Sequence, residues 1–223
     1  MPAPTTSARL TKVLSLLSEA HSTDPCSESS TYHSTLSSYV TRLCRDAGNE
    51  EPSEALVIAA NAQHVRRWEK PRNEYPMGLS GYKMWRLERT NLNRFHSQVA
   101  RELMLQAGYS ETSDAELIKR VDELLLKKTL ARPPFKYPLK VTPPFLQDPE
   151  MHLFEDAICL TFLSTQFVQF SDQLDDPSKM VGIVAKTWAK MSTLGRKVAA
   201  EELVGTLPYE LKKVVQEALE GTD

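Results

Sequence analysis

The sequence predicts an all-α protein, and three observations support this prediction. Only 8 of the 223 residues are glycine, the apolar residues recur mostly at the helical spacing of three and four, and no segment alternates clearly between apolar and polar side chains. The chain carries no internal repeat and is long enough for a large core. We therefore expect a single compact domain over residues 1–223, built from about eight helices.

The first three helices follow from caps and apolar stripes. Residues 7–21 and 29–46 each turn four apolar side chains to one face: Leu10, Val13, Leu14 and Leu17 in the first, Leu36, Tyr39, Val40 and Leu43 in the second. Ser53 with Glu54 opens a third helix that is expected to run until just before Pro71. Its residues are small and apolar nearly all round, which is typical of a buried helix.

The remaining helices are predicted in the same way. Residues 81–107 form a long helix closed by Gly108, and Ser113 with Asp114 caps the next one through residue 128. Residues 129–149 hold six prolines and predict a loop or insertion. The sixth and seventh helices cover about residues 150–173 and 177–203, and Pro208 starts a short eighth.

Composition restricts the function. The net charge is −2 and 25% of residues are charged, so the bulk charge argues against nucleic acid. No apolar run approaches the roughly 20 residues of a membrane helix. The start of the chain lacks the features of a secretory signal, and the three cysteines form no CxxC pair. We expect a protein of the cytoplasm that has no contact with membranes.

Two histidines are expected to face the core. His64 shares its predicted helical face with Val57, Ala60 and Asn61, and His96 lies on a stripe with apolar neighbours at i−4, i+3, i+4 and i+7. A buried imidazole needs a polar partner. By contrast, His21, at a helix end that favours cations, and His33 are expected at the surface.

An acidic pair opens the sixth helix. Asp156 shares a stripe with Leu160 and Leu163, so it is expected to point inward, next to Glu155. Imidazole and carboxylate together suit zinc, manganese or iron, and helical bundles build such sites from facing helices. The alternative is that acids in a first turn complement the helix dipole and that the histidines only make structural hydrogen bonds.

Residues 66–101 form a cationic and aromatic segment, with nine Lys or Arg against three Glu. Arginine binds carboxylate or phosphate through two parallel bonds. Because this segment connects the two histidines, it predicts an anion pocket beside them, with Arg67, Arg72, Arg86 and Tyr82 as candidate ligands of a small anionic molecule. A solvated basic surface is the alternative.

These residues also resemble a known family. "AANAQHVRRWEKPRNEYPMGLSGYKMWR", "FHSQVARELMLQAGY", "FEDAICLTFL" and "AKTWAKMSTLGRKVA" together resemble an uncharacterised helical family described as a domain of unknown function, over about residues 10–218. Some of its members carry a glutamyl-tRNA synthetase label. This chain has neither a nucleotide-binding α/β domain nor a HIGH-type motif, so the label does not fit it.

A second resemblance concerns mechanism. "RFHSQVARELMLQAGY" is similar to the first metal-binding helix of HD-type phosphohydrolases, and "FEDAICLTFL" resembles their acidic helix. This resemblance implies an HD-like fold and metal-dependent phosphate chemistry. The chain departs from that pattern because it has no His-Asp dyad: "QH" stands at residues 63–64.

The leading hypothesis is a metal-dependent hydrolase that acts on a small anionic substrate, such as a phosphorylated one. A divalent metal (Mn, Fe or Zn) would be held by His64, His96 and Asp156, with Glu155 as general base or as a further ligand. Two alternatives stay open: a non-haem metal oxygenase, and a non-enzymatic helical binding module with a buried polar network.

Overall fold

The computed structural model describes residues 7–49, 51–71, 76, 78–128, 148–172 and 177–220. Within these ranges the backbone forms helices and turns and no strand. The prediction of an all-α fold is therefore confirmed. The proline-rich segment at residues 129–149 lies, except for its last two residues, outside the described part of the chain.

The helices follow the predicted order. Their bounds are α1 Ala8–Ser22, α2 Ser29–Asp46, α3 Glu54–Ala62, α4 Gly78–Ala107, α5 Ala115–Leu126, α6 Pro149–Thr161, α7 Phe167–Asp172, α8 Pro177–Lys190, α9 Thr193–Val198 and α10 Tyr209–Glu220. Four of them are preceded by an N-cap residue whose side chain accepts a hydrogen bond from a backbone N–H of the first turn: Ser7, Ser53, Asp148 and Ser192.

Three predicted helices differ from those observed. The third ends at Ala62 instead of reaching Pro71. The sixth is interrupted by a π-helical segment, Phe162–Gln166, before α7 continues it. The seventh is divided at Met191 and Ser192 into α8 and α9, and a second π-helical segment, Ala199–Leu203, follows α9.

The chain divides into two compact units. Unit 1 comprises residues up to 37 together with 53–128, and unit 2 comprises 38–52 together with the residues from 129 onward. The continuous helix α2 therefore contributes its first half to unit 1 and its second half to unit 2. A single domain over residues 1–223 remains a prediction.

Unit 1 is built from α1, α3, α4 and α5, which pack against one another, and the first half of α2. Its core consists of fully or almost fully buried aliphatic side chains: Val13, Leu17, Leu36, Leu56, Ile58, Met104, Val121, Leu124 and Leu125. Tyr109, buried after the end of α4, donates a hydrogen bond to Glu54 Oε1 at 2.5 Å. This bond ties the end of α4 to the start of α3.

In unit 2, α6 packs on α8 and α9, and α8 also packs on α10. One apolar cluster in it joins Phe167, Met180, Val184, Leu207 and Val215. The second half of α2 adds buried Val40, Leu43 and Cys44 to this unit.

A close approach fixes the entry into α4. A Cβ atom on Gly81 would lie 1.6 Å from the carbonyl oxygen of Pro76, so no other residue fits at this position without a backbone shift.

In the described residues, no helix is both long and apolar enough to span a bilayer.

Candidate functional site

His96 lies on the inner face of α4 and is 3% exposed. Its stripe neighbours Leu92, Val99 and Ala100 are also buried, so the helical spacing placed this residue correctly. The Nδ1 atom of His96 lies 2.9 Å from the carbonyl oxygen of Val65. Because a carbonyl can only accept, Nδ1 carries the proton and donates it, and Nε2 is left as a bare acceptor in the neutral ring.

His64 lies in the turn that follows α3 and not on a helix. The chain leaves the helical conformation at Gln63, and Arg66 adopts a left-handed conformation with φ 56°. His64 is nevertheless partly buried, and its ring centroid lies 5.7 Å from that of His96. The expected proximity of these two histidines is thus present, although the turn produces it instead of a helical face.

His21 and His33, both expected at the surface, are buried. They are 4% and 2% exposed, and their rings stack with centroids 3.7 Å apart. His21 shares the inner face of α1 with Val13 and Leu17. The prediction of a surface position is wrong for both, since each continues an apolar stripe of its helix into unit 1.

Four of the five histidines therefore meet in unit 1, and we refer to His21, His33, His64 and His96 as the histidine cluster. Tyr32 connects them: its ring lies 5.1 Å from that of His33 and is stacked 5.3 Å from that of His64. The cluster draws on α1, α2, the turn after α3, and α4.

Within the histidine cluster, His21 has both ring nitrogens bonded. Its Nε2 donates to the carbonyl oxygen of Asn61 at 2.7 Å, and its Nδ1 accepts from the Ser29 hydroxyl at 3.0 Å. His21 thus has the bonding of a structural core histidine.

His33 is bonded on one side only. Its Nδ1 donates to the carbonyl oxygen of Ser29 at 2.6 Å, whereas its Nε2 is buried and has no hydrogen-bond partner. The Nε2 of His96 is in the same state. Both atoms are therefore unpaired acceptors in the interior, which is costly unless something binds them.

Burial and nearby positive charge keep these rings neutral. Burial first, and then interaction with His21, lower the pKa of His33 to about 3. Burial also lowers the pKa of His96 to about 4. The pKa of His64 is likewise far below its usual value, first because of burial and then because of the charge on Arg67. Neutral imidazole is the form that binds metals.

Arg67 is the predicted anion-binding residue that the structure describes in full. Its side chain is exposed, and its positive charge lowers the pKa of both His64 and His96. A cation thus lies beside the partly buried edge of the histidine cluster. Arg72 lies outside the described residues, and so do the side chains of Tyr82 and Arg86.

Asp156 and Glu155 belong to unit 2, on α6, and both are buried as predicted. The two oxygens of Asp156 accept from the backbone N–H and the hydroxyl of Ser192, at 2.7 and 2.5 Å. Burial raises the pKa of Asp156, and the bonds from Ser192 oppose that shift. Asp156 thereby holds the residue that caps α9.

Glu155 forms an ion pair. Its Oε1 lies 3.6 Å from Nζ of Lys190, whose side chain is 46% exposed, whereas that of Glu155 is 2% exposed. The roles of Glu155 and Asp156 as general base and metal ligand stay predictions.

In the part of the chain that the structure describes, no group of three or more His, Cys, Asp or Glu side chains could hold a metal ion. The donors of the histidine cluster nevertheless fit a transition metal chemically. Two buried nitrogens are unpaired, and the opposite nitrogen of each ring donates to a backbone carbonyl, as in the second shell of protein metal sites.

The family model described as Domain of unknown function (DUF4202) matches residues 11–215. The chain belongs to this family. The match includes the whole histidine cluster, Arg67, Glu155 and Asp156. The expected membership of an uncharacterised family is thus confirmed, whereas the HD-type resemblance stays a prediction. Curated proteins and solved structures give no match to this DUF4202 chain.

Proposed function

We propose that the protein is a metal-dependent hydrolase acting on a small anionic substrate such as a phosphate ester, with its metal held by the histidine cluster. The observation that carries this proposal is the buried, unpaired Nε2 of His96. The bond from Nδ1 to Val65 directs that lone pair away from the backbone. A buried acceptor without a partner is uncommon in proteins, and a bound metal would satisfy it.

His64 would be the second ligand. Its Nε2 accepts from the Gln63 side-chain amide at 3.3 Å, a long bond that a metal can displace. Imidazole nitrogen suits Mn, Fe or Zn. When bound, such a metal lowers the pKa of a coordinated water and polarises a phosphoryl oxygen.

Arg67 would bind the substrate. It is exposed and lies close enough for its charge to act on both His64 and His96. A guanidinium can bind two oxygens of a phosphate or carboxylate at once, which would orient the ester toward the cluster. The same charge, after burial, also lowers the pKa of His64 and His96 and so disfavours their protonation.

The two acids of α6, Glu155 and Asp156, have a secondary role in this proposal. Glu155 as general base and Asp156 as ligand would complete the site predicted from the sequence. Because both Asp156 oxygens are bonded to Ser192, the proposal rests on the histidines and does not need Asp156.

A non-enzymatic helical module is the second candidate. The bonding of His21 on both ring nitrogens and of Asp156 to Ser192 favours it, because such networks fix helix packing without catalysis. A non-haem oxygenase would use the same metal ligands, and product analysis separates it from a hydrolase.

Metal content decides between these candidates. Purified protein is dialysed, loaded with Mn²⁺, Fe²⁺ or Zn²⁺, and measured by ICP-MS and thermal unfolding, followed by a panel of phosphate monoesters and diesters. We expect about one metal per chain and a raised Tm. His96→Phe, which keeps a ring but no nitrogen, should abolish both effects. A protein that takes up none of the three ions would overturn the proposal and favour the binding module.

Arg67 is tested separately. Arg67→Gln should raise KM for the hydrolysed ester by at least about 10-fold, because a charge-assisted bond contributes about 1.5–3 kcal/mol. Arg101→Gln is the matched control, since Arg101 is an exposed arginine of α4 paired with Glu111. Equal KM values for the two variants would remove Arg67 from the substrate site.

A further inference from the structure

Two cations from different elements lie beside His64. Helix α3 packs on α5, and His64 and Lys127 follow the ends of these two helices. Burial lowers the pKa of His64 most, and the positive charges of Arg67 and Lys127 lower it further. A charge acts in this way only at short range, because water and salt screen it. The end of α5 therefore places Lys127 beside His64, on which Arg67 also acts.

Both cations can be reached from the solvent. The side chain of Arg67 is exposed and that of Lys127 is half-buried. Glu69 and Glu123, the acids nearest to them along the chain, each form an ion pair with another arginine, at 2.6 and 3.7 Å. The two permanent charges that act most strongly on His64 are both positive, so this edge of unit 1 favours an anion.

The backbone of Lys127 indicates a use for its side chain. Its φ of 54° lies in the left-handed region, which is costly for a residue with a side chain and not for glycine. The helix dipole favours a cation near the end of α5, but the next residue, Lys128, meets that preference without a left-handed backbone. Strained backbone is concentrated at binding sites.

The helix ends at this edge are already bonded to donors of the protein. The carbonyl oxygen of Asn61 accepts from Nε2 of His21, and that of Val65 accepts from Nδ1 of His96. The turns after α3 and α5 also donate backbone N–H groups to the last carbonyls of these helices. These bonds reduce the repulsion that the negative end of a helix exerts on an anion.

We propose that Lys127 binds the substrate together with Arg67, so that the site selects a phosphate group with two negative charges over an anion with one. This inference rests on the proposed function and deepens it, because it adds a substrate-binding residue and narrows the substrate class to phosphate monoesters. A monoester has a second pKa of about 6 and three acceptor oxygens. A guanidinium binds two such oxygens, and an ammonium group acts as a compact charge on the third.

The test measures phosphate binding by the full-length protein in EDTA at pH 8, so that the result does not depend on a metal. The probes for calorimetry are inorganic phosphate, which is mainly a dianion at this pH, and dimethyl phosphate, which is a monoanion. Lys127→Asn removes the charge, and asparagine tolerates the left-handed backbone. Lys128→Asn is the matched control. Circular dichroism establishes that each variant folds.

We expect wild type to bind inorganic phosphate at least about 10-fold more tightly than dimethyl phosphate. Lys127→Asn should weaken the binding of inorganic phosphate by at least about 10-fold and remove most of this preference, with Lys128→Asn close to wild type. Equal phosphate affinity in Lys127→Asn and wild type would overturn the role of Lys127. An equal loss in Lys127→Asn and Lys128→Asn would overturn it too, because the effect would then be one of general surface charge.

The inference and the proposed function can fail separately. If wild type prefers inorganic phosphate as expected but takes up no metal, the hydrolase fails and the dianion site stands as a binding site. If wild type takes up metal but does not prefer inorganic phosphate to dimethyl phosphate, the inference fails and the metal-dependent function stands.

A measurement on wild-type protein covers the case in which Lys127→Asn does not fold. In ¹³C NMR of protein with labelled lysine, inorganic phosphate should shift the Cε signal of Lys127 and leave that of Lys128 in place. Phosphate that binds without a response at Lys127 would overturn the inference.

Discussion

Asp156 and Gly195 are in close contact in unit 2. A Cβ atom on Gly195 would lie 2.5 Å from both Cγ and Oδ1 of Asp156, so the carboxylate occupies the space where a side chain would stand. Glycine at this position lets Asp156 reach Ser192 and hold the start of α9.

Gly195→Ala should therefore lower the free energy of unfolding by about 1–3 kcal/mol, because the methyl group displaces the carboxylate. Gly182→Ala is the control: Gly182 lies inside α8 with nothing within 4 Å of the added Cβ, so alanine should stabilise by roughly 0.5–1 kcal/mol. Urea unfolding of both variants checks the opposite signs. Two equal effects would show that the contact with Asp156 is unimportant.

At the residue scale, helical spacing predicts burial when the whole stripe of a residue is apolar. This holds for His96, whose stripe neighbours Leu92, Val99 and Ala100 are all buried. His33 precedes Leu36 by three and Val40 by seven residues, and His21 follows Leu17 by four, so both histidines also lie on apolar stripes. Sequence could not show the unpaired nitrogens, since these depend on carbonyls from Ser29 and Val65.

At the scale of elements, α4 and α5 end with the same pair of backbone bonds. After α4, the N–H of Tyr109 donates to the carbonyl oxygen of Met104, and the N–H of Gly108 donates to that of Leu105. After α5, the N–H of Lys128 donates to the carbonyl oxygen of Glu123, and the N–H of Lys127 donates to that of Leu124. The residue in the left-handed position is Gly108 in one case and Lys127 in the other, with φ of 100° and 54°. A side chain is strained there, whereas glycine is not.

The two helix ends should therefore respond oppositely to substitution. Gly108→Ala should lower the free energy of unfolding by about 1 kcal/mol, and Lys127→Gly should raise it by up to about 1 kcal/mol. Thermal unfolding of the two variants measures this. A destabilised Lys127→Gly would mean that the lysine side chain contributes more than its backbone costs.

The end of α3 shows where prediction of elements stops. Apolar residues continue to Val65, so periodicity extends the helix past Ala62, and neither glycine nor proline marks the break. Arg66 takes the left-handed conformation instead, and the turn brings His64 next to His96. The π-helical segments in unit 2 have no sequence signal either, since each replaces α-helical bonding without a helix-breaking residue.

At the scale of the whole molecule, the histidine cluster makes stability depend on pH. An unfolded histidine titrates near 6.5, whereas the pKa values of His33 and His96 in the fold are about 3 and about 4. Between these values the unfolded chain binds more protons, so the free energy of unfolding falls as pH decreases below 6.5. The raised pKa of Asp156 acts in the opposite direction.

Each of these two histidines contributes a slope of up to about 1.4 kcal/mol per pH unit. Urea unfolding in EDTA at pH 7 and pH 5 should show a marked loss of stability at pH 5, and His33→Phe should reduce that loss by roughly one histidine's share. An unchanged loss in His33→Phe would mean that His33 is already protonated in the folded protein at pH 5.

The division of helix α2 between the units has a consequence for synthesis. Residues 38–52 belong to unit 2, yet they leave the ribosome together with unit 1 and long before residues 148–220. Until that later part is made, Val40, Leu43 and Cys44, all buried in the finished protein, stay uncovered on the nascent chain. Unit 1 can form once residue 128 has emerged. Unit 2 has to wait for the residues from 129 onward, because residues 53–128 separate its two segments in the sequence. Between the synthesis of residues 38–52 and that of residues 148–220, the nascent chain should therefore carry an exposed apolar stripe, which is the kind of surface that chaperones bind.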